Sequence, residues 1–502
     1  MKAVKYLILF AAVLLLSFRF SPLCMGIESD QSVYLLSARS MLSGGMPYVD
    51  FWDHKPPFLY LIYTVAERFG GLWPYWWMEC TVLFAGLCLF LRTMQRILTP
   101  VSGAVACATI LVLSRSLNFS GYSTPEAWAV AAGLLIFGLV FKSGAGLWSW
   151  AIAGLLGGLC FFIKPTAVLL PGSVGVCQLI LTVIRRSRTE LSRTAVYVFS
   201  AVAVFLAGHA WIYLSGFFQE YWQACIVYNG MYAVSAFRSG SVVDYATRLM
   251  TTFSGSGYFG LLGIVIAAGF FIFRKQDQRL RFIYLTCSAV FSVETVCIAL
   301  SGRISGHYFS ALLIPASVCF GIFMKGLIES CRPSVTAAVL IPVALPVLML
   351  TLYWNIAQGL VKGTFLPQKL PAKDEAVIRL LNTVPSGKAF VWDEFPSRQY
   401  YLAQKKPASR FGYCLPLWVP CPMQADLLKT LTDDLKKNPP EVIIDGRHPE
   451  LAEGKIAAMP YAYYALKPEQ LAGLRAFIAE HYVQTEENEF FSIFRINPFV
   501  GF

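Results

Sequence analysis

Charge is what this sequence has least of. Only 14% of its 502 residues are Asp, Glu, Lys or Arg, where a soluble domain carries about 25%. No internal repeat recurs, which excludes a solenoid or propeller array. No low-complexity tract interrupts the chain, and it lacks the glycine-rich phosphate loop of nucleotide-binding proteins. A net charge of +12 would suit nucleic acid if it formed a patch. It does not, because the basic residues are scattered over short loops between apolar runs.

Hydrocarbon takes the place of charge. The chain is 56% hydrophobic, and apolar runs of membrane-spanning length recur to about residue 355. The expected fold is a polytopic α-helical membrane protein of about 11 transmembrane helices with a small exterior α/β C-terminal domain. The spans fall near 6–23, 75–91, 101–117, 125–141, 147–163, 167–184, 195–213, 258–273, 282–300, 308–324 and 335–354. Every second short loop is basic: Arg92 and Arg96; Lys142; Arg185, Arg186, Arg188 and Arg193; Arg274, Lys275, Arg279 and Arg281; Lys325 and Arg332. Those loops are expected on the cytoplasmic side with Lys2 and Lys5, and an odd number of spans leaves the C-terminus outside. The first span is read as an uncleaved helix, since "SPLC" offers no clear small-x-small cleavage site. A lipoprotein signal ending at Cys24 fits its flanking residues poorly. Most of the 13 cysteines lie in spans, as small apolar residues. Cys414 and Cys421 lie in the tail, where a disulfide and two free thiols are both open.

The expected organisation is a transmembrane catalytic domain over 1–358 and an exterior α/β domain over 359–502. In the first exterior loop, 24–74, "DQSVYLLSARSMLSGG" and "PPFLYLIYTVAERFGG" each read as a short amphipathic helix stopped by a Gly pair. Both suit the membrane interface, as does the aromatic second exterior loop, 214–257. In the tail, "KAFVW", "EVIIDG" and "FFSIFRI" read as strands. "KDEAVIRLLNTV", "MQADLLKTLTDDLKKN" and "PEQLAGLRAFIAEHY" read as helices.

Ionisable residues near a membrane are functional candidates, because burying them is costly unless something uses or pairs them. Glu28, Asp30, Asp50, Asp53, His54, Lys55, Glu126, Lys164, Arg303 and His307 all fall at or near outer span ends. Each has a blander reading. Asp30 is placed to be an N-cap, and Glu28 to face water. Lys55 is placed to be a solvated loop lysine, although Pro-Pro after it stiffens the chain. Glu126 suits a helix dipole, Lys164 a snorkelling position, and Arg303 with His307 a lipid headgroup. Taken together they suggest an outward-facing site with an acid at one end and cations for an anionic group.

"ESDQSVYLLSARSMLSGGMPYVDFWDHKPPFLY" resembles the first exterior loop of the GT-C membrane glycosyltransferases, in the branch of protein O-mannosyltransferases and aminoarabinose-lipid A transferases. That loop begins Asp-Glu and often reaches Lys-Pro-Pro. Here Asp30 supplies the acid and Gln31 stands where the second acid is usual. "STPEAWAV", "GGLCFFIKPTAVLLP", "GHYFSALLIPA" and "VWDEFPSRQYYLAQKKPASRFGY" are similar to later segments of that family. The resemblance implies a polyprenyl-phosphate sugar donor attacked, with inversion, by an acceptor hydroxyl on the exterior face of a bacterial cytoplasmic membrane. It implies Asp30 as base, with Glu28, Asp53 and Glu126 as the other candidate catalytic acids. Lys55, Arg303, His307, Lys164 and Tyr308 are implied for the donor phosphate. The expected partners are a lipid, glycan or protein acceptor and membrane lipids, without nucleic acid. No cofactor is expected; a divalent metal at Glu28, Asp30 and His54 is conceivable and not favoured. The alternatives are a transporter or flippase of lipid-linked sugars, which would more often show mid-span charges and paired halves, and a non-catalytic membrane scaffold.

Overall fold

The computed structural model describes residues 2–115, 124–142, 144–238, 242–255, 258–274, 277–300, 306–330, 369–419, 421–446, 471–488 and 490–500. In chain order the helices are α1 (Lys2–Ser17), α2 (Ser29–Leu42), α3 (Pro57–Arg68), α4 (Leu72–Ile97), α5 (Pro100–Ser114), α6 (Pro125–Phe141), α7 (Leu147–Ile163), α8 (Leu169–Arg185), α9 (Arg188–Leu214), α10 (Phe218–Tyr221), α11 (Asn229–Arg238), α12 (Val242–Gly255), α13 (Tyr258–Arg274), α14 (Gln278–Leu300), α15 (Leu313–Ser330), α16 (Ala372–Asn382), α17 (Ser397–Leu402), α18 (Leu415–Trp418), α19 (Gln424–Lys437) and α20 (Ala472–His481). The strands are β1 (Ala389–Trp392), β2 (Val442–Asp445), β3 (Tyr482–Glu487) and β4 (Ser492–Ile496). The chain forms two compact units, each assembled from three stretches. One holds Met1–Met25, Trp73–Trp211 and Val242–Gln368; the other holds Gly26–Leu72, Ile212–Ser241 and Lys369–Phe502.

The first unit is a bundle of apolar helices. Among the described residues six stretches are long and apolar enough to cross a membrane: Ala3–Phe20, Leu72–Ile97, Pro165–Arg185, Arg188–Leu214, Gln278–Leu300 and His307–Ser330. α12 and α13, joined at a sharp bend, make a seventh if they are one broken span. α5, α6 and α7 are apolar but only 15, 17 and 17 residues long. At 1.5 Å per residue they reach about 22–26 Å, short of a hydrocarbon core of about 30 Å. The chain is a multi-pass membrane protein. The span expected near 335–354 lies outside the described residues, as do Lys275 and Arg332 of the basic loops.

Local chemistry sets these helix ends. Pro100 starts α5 behind Thr99, whose hydroxyl accepts the Ser102 N–H at 3.1 Å. Pro165 separates α7 from α8, and Lys164 before it is extended (φ −157, ψ 125), as pre-proline sterics favour. Inside, α15 packs on α5, α13 and α14. The contact with α5 is close because Gly321 has no Cβ: one built there would lie 3.0 Å from the Ala106 Cβ.

In the second unit α2 packs between α3 and α17. α3 starts at Pro57 and stops where Gly70 (φ +108) and Gly71 (φ +81) turn left-handed, with Gly71 N–H donating to Ala66 C=O at 2.8 Å. The four-stranded sheet has the order β1-β2-β4-β3; β1 and β2 are parallel, and the other pairs antiparallel. Val377 and Leu381 of α16 and Tyr400 of α17 cover Val391, Ile444 and Ile493 of the sheet. β3 is the one strand the sequence reading missed. The predicted "PEQLAGLRAFIAEHY" helix ends at His481, and Tyr482 opens a strand exposed along nearly its whole length. "VQTEE" is an edge with no apolar alternation to announce it.

Candidate active site

The second unit holds the first group of predicted site residues. Helix α2 starts at Ser29, with Glu28 as its N-cap residue and Asp30 in its first turn. Neither the Glu28 nor the Asp30 side chain caps the helix, so the blander reading of Asp30 as an N-cap falls. Asp30 is half-buried, and its negative charge acts on His54 and Glu394.

The "DFWDHKPP" segment forms a relay that ends on a lysine. Lys55 Nζ lies 2.8 Å from His54 Nε2. An ammonium only donates, so Nε2 must accept and the ring proton sits on Nδ1. Nδ1 is 3.2 Å from Asp53 Oδ1, in ion-pair range but off the line of a good hydrogen bond. Tyr60 OH donates to Asp53 Oδ2 at 2.8 Å. Asp53 and His54 are almost fully buried, at 1% and 7% exposure, while Lys55 is half-buried.

The electrostatics agree with that assignment. Burial pushes the Asp53 carboxyl up, but the His54 ring and the Lys55 charge outweigh it and hold it below the usual range. Burial, then the Lys55 charge, holds His54 below its ordinary value; Asp53 and Asp30 pull the other way. His54 is therefore neutral at neutral pH and free to accept.

The backbone beneath the relay is fixed by Tyr48, Cys225 and Asn229. Asn229 Nδ2 donates to His54 C=O at 2.8 Å, and Tyr48 OH to Lys55 C=O at 2.7 Å. Cys225 Sγ lies 3.1 Å from the same Lys55 oxygen. Tyr48 holds a left-handed backbone (φ 66) with its ring fully buried, a costly conformation kept only where the surroundings over-determine it. Glu394 adds an acid that sequence reasoning passed over: burial, and then the charges of Asp393 and Asp30, push its carboxyl up. Neither Cys414 nor Cys421 is in a disulfide. A cavity of about 640 Å³ in the same unit is lined by Phe51 and Trp52 and by Lys405, Lys406, Arg410 and Lys437.

The first unit holds the other group. Glu126 is in the first turn of α6 behind Pro125. Lys164 donates to Glu126 Oε1, and His307 Nε2 lies 3.7 Å from the same oxygen. Lys164 Nζ stands 4.1 Å from the centre of the Tyr308 ring. These four candidates thus converge, and Lys164 is paired rather than snorkelling. Glu294, buried within α14, puts an ionisable carboxyl inside a span, where the sequence reading placed none. Arg303 lies outside the described residues. Among the described residues no three His, Cys, Asp or Glu side chains are grouped to hold a metal ion.

No protein-family profile and no curated protein sequence matches the chain. Solved structures do. ArnT from Cupriavidus metallidurans in the apo state superposes with a TM-score of 0.62 at 12% identity, covering 98% of both chains. ArnT from the same organism bound to undecaprenyl phosphate gives 0.60 at 13%, again covering 98% of both. The apo Archaeoglobus fulgidus oligosaccharyltransferase gives 0.54 at 11%, over 89% of this chain and 70% of that one. At such identities a likeness speaks for architecture, and the architecture of this chain is the GT-C fold of membrane glycosyltransferases.

Proposed function

We propose that the protein is an inverting glycosyltransferase that moves a sugar from a polyprenyl-phosphate donor to a lipid, glycan or protein acceptor at the exterior face of a bacterial cytoplasmic membrane. One observation carries the reading: within a GT-C fold, a buried Asp53–His54 pair holds the Lys55 ammonium in place, and the carboxylate of Asp30 is close enough to act on the same histidine. The neighbour solved with undecaprenyl phosphate supports a polyprenyl carrier, and the archaeal neighbour solved with a tethered acceptor peptide supports an acceptor of variable chemistry.

The step balances as follows. The acceptor hydroxyl gives its proton to Asp30 as its oxygen bonds to the sugar's anomeric carbon. The bond from that carbon to the phosphate oxygen breaks, and its electron pair leaves with the polyprenyl phosphate. Lys55 stabilises the charge that grows there. Glu28 is the acid beside the base. Asp53 acts through His54, not on substrate. Glu126, Lys164, His307 and Tyr308 form a second polar group at helix ends of the bundle, with Arg303 near them in sequence, and are assigned to the donor's phosphate and sugar. The cavity lined by Trp52 and Lys406 suits an acceptor glycan. The test is sugar transfer by purified protein from a polyprenyl-phosphate sugar, comparing wild type with Lys55→Ala. Loss of transfer in the variant supports the reading, and an inert wild type refutes it.

A further inference from the structure

A second ionic cluster lies in the first unit, outside the residues assigned to transfer. Arg19 follows α1 in a short 3-10 turn, Glu79 lies two turns into α4, and Arg115 is the residue after α5. Arg115 Nη1 donates to Glu79 Oε1 at 2.6 Å, and Arg19 Nη2 donates to the Arg115 carbonyl. All three are at most 5% exposed.

The charges do not balance. Two guanidiniums, which remain protonated in proteins, face one carboxylate. Residues 116–123, "SLNFSGYS", directly follow Arg115 and carry no acid. Among the described side chains the other acids of this unit are placed elsewhere: Glu126 with Lys164, Glu190 with Arg193, Glu329 with Lys325, Asp277 with the Arg279 and Leu280 N–H groups, and Glu294 within α14. Donors are also left over. Among the described residues Arg19 Nε and Arg115 Nε are buried without an acceptor, and the Ser21 hydroxyl two residues after Arg19 is buried without a partner. A buried cation with unfilled donors is costly. An oxyanion relieves both defects at once, since guanidinium forks match phosphate oxygens.

The location names the kind of anion. Arg19 and Arg115 end apolar helices and Glu79 sits near the start of one. Alternating spans put those three ends on one side of the bundle, at the depth of lipid headgroups. We propose that Arg19 and Arg115, with Glu79 setting the net charge at +1, form a phosphate site distinct from the Lys55 site, filled by a lipid phosphate ester or a free phosphate. The site rests on the membrane reading of the bundle and not on the transferase reading.

The experiment is thermal unfolding of Lys55→Ala, which removes the Lys55 contact to the donor phosphate, against the same protein with Arg19→Met, which keeps the Arg115–Glu79 pair. Inorganic phosphate is titrated against chloride at equal ionic strength. In parallel the proteins are placed in nanodiscs of phosphatidylcholine alone, with phosphatidylglycerol, or with undecaprenyl phosphate. Phosphate or an anionic lipid should raise the midpoint of Lys55→Ala, and Arg19→Met should weaken that response at least tenfold in half-saturating concentration while Arg19→Lys keeps part of it. A response to inorganic phosphate identifies a free-phosphate site; a response to the anionic lipids alone identifies a lipid site. If Arg19→Met does not fold, Glu79→Gln decides, because removing the internal counter-charge should tighten the response. No response in Lys55→Ala, or one unchanged by Arg19→Met or by Glu79→Gln, overturns the proposal.

Discussion

Lys55 owes its direction to the ring beside it. His54 can hold the ammonium only while neutral, and burial keeps it so. The sign follows from proton counting. Native His54 titrates below its ordinary 6.5 and the unfolded chain near it. The unfolded state therefore binds more protons as pH falls below about 6.5, and stability falls with it. Transfer should fall over the same range, because protonated His54 repels Lys55. His54→Gln puts a carbonyl oxygen where Nε2 accepts and cannot titrate; it should keep much of the transfer rate and flatten the acid limb, whereas His54→Ala should lose about tenfold or more. Rate profiles from about pH 5 to 8 check this, and an acid limb unchanged in His54→Gln would refute the relay. Lys55→Ala should impair transfer far more than Arg68→Ala, since Arg68 is exposed at the end of α3. The "DHKPP" cluster was legible because it is contiguous. Its support was not: Asn229 reaches His54 across 175 residues, and Tyr48 spends a left-handed backbone that an aromatic residue does not advertise.

Helices α2, α3 and α17 are clamped by one polar knot. Arg39 donates to Glu67 Oε1 through Nε at 3.0 Å and Nη2 at 2.9 Å, and to the Tyr401 carbonyl through Nη1 at 2.9 Å. Tyr401 OH donates to Glu67 Oε2 at 2.7 Å, with the Arg39 guanidinium 4.0 Å from the Tyr401 ring centre. Glu67→Ala strands a largely buried arginine and should cost about 1–3 kcal/mol, read as a lower unfolding midpoint with donor KM unchanged. A changed KM at constant stability would instead put Glu67 in the substrate site. The helices α2 and α3 were readable from Pro and Gly punctuation, and β1, β2 and β4 from their short apolar runs. The arginine in "SARS" gave no hint of its partners, because they come from other elements. β3 escaped because an edge strand facing solvent needs no apolar pattern.

At the scale of the whole chain, apolar runs announced the bundle: helices fall at ten of the eleven expected positions, and among the described residues six of them, or seven with the bent pair, are long and apolar enough to cross a membrane. What hydropathy could not show is that residues 26–72 and 212–241 fold with the tail into one unit; that grouping depends on side chains such as Asn229 and Tyr48, not on local composition. The alternation of basic loops leads us to propose that this unit lies outside. A cysteine at exposed Lys436 should react with a membrane-impermeant maleimide in spheroplasts, and labelling only after lysis would invert the topology. The most direct test of the catalytic account is the turnover of Asp30→Asn with a polyprenyl-phosphate sugar and saturating acceptor. Asparagine keeps the size of Asp30 and cannot take the acceptor's proton, so turnover should drop about 100-fold or more while donor binding and the unfolding midpoint stay near wild type. Near-normal turnover in Asp30→Asn would contradict the assignment of the base.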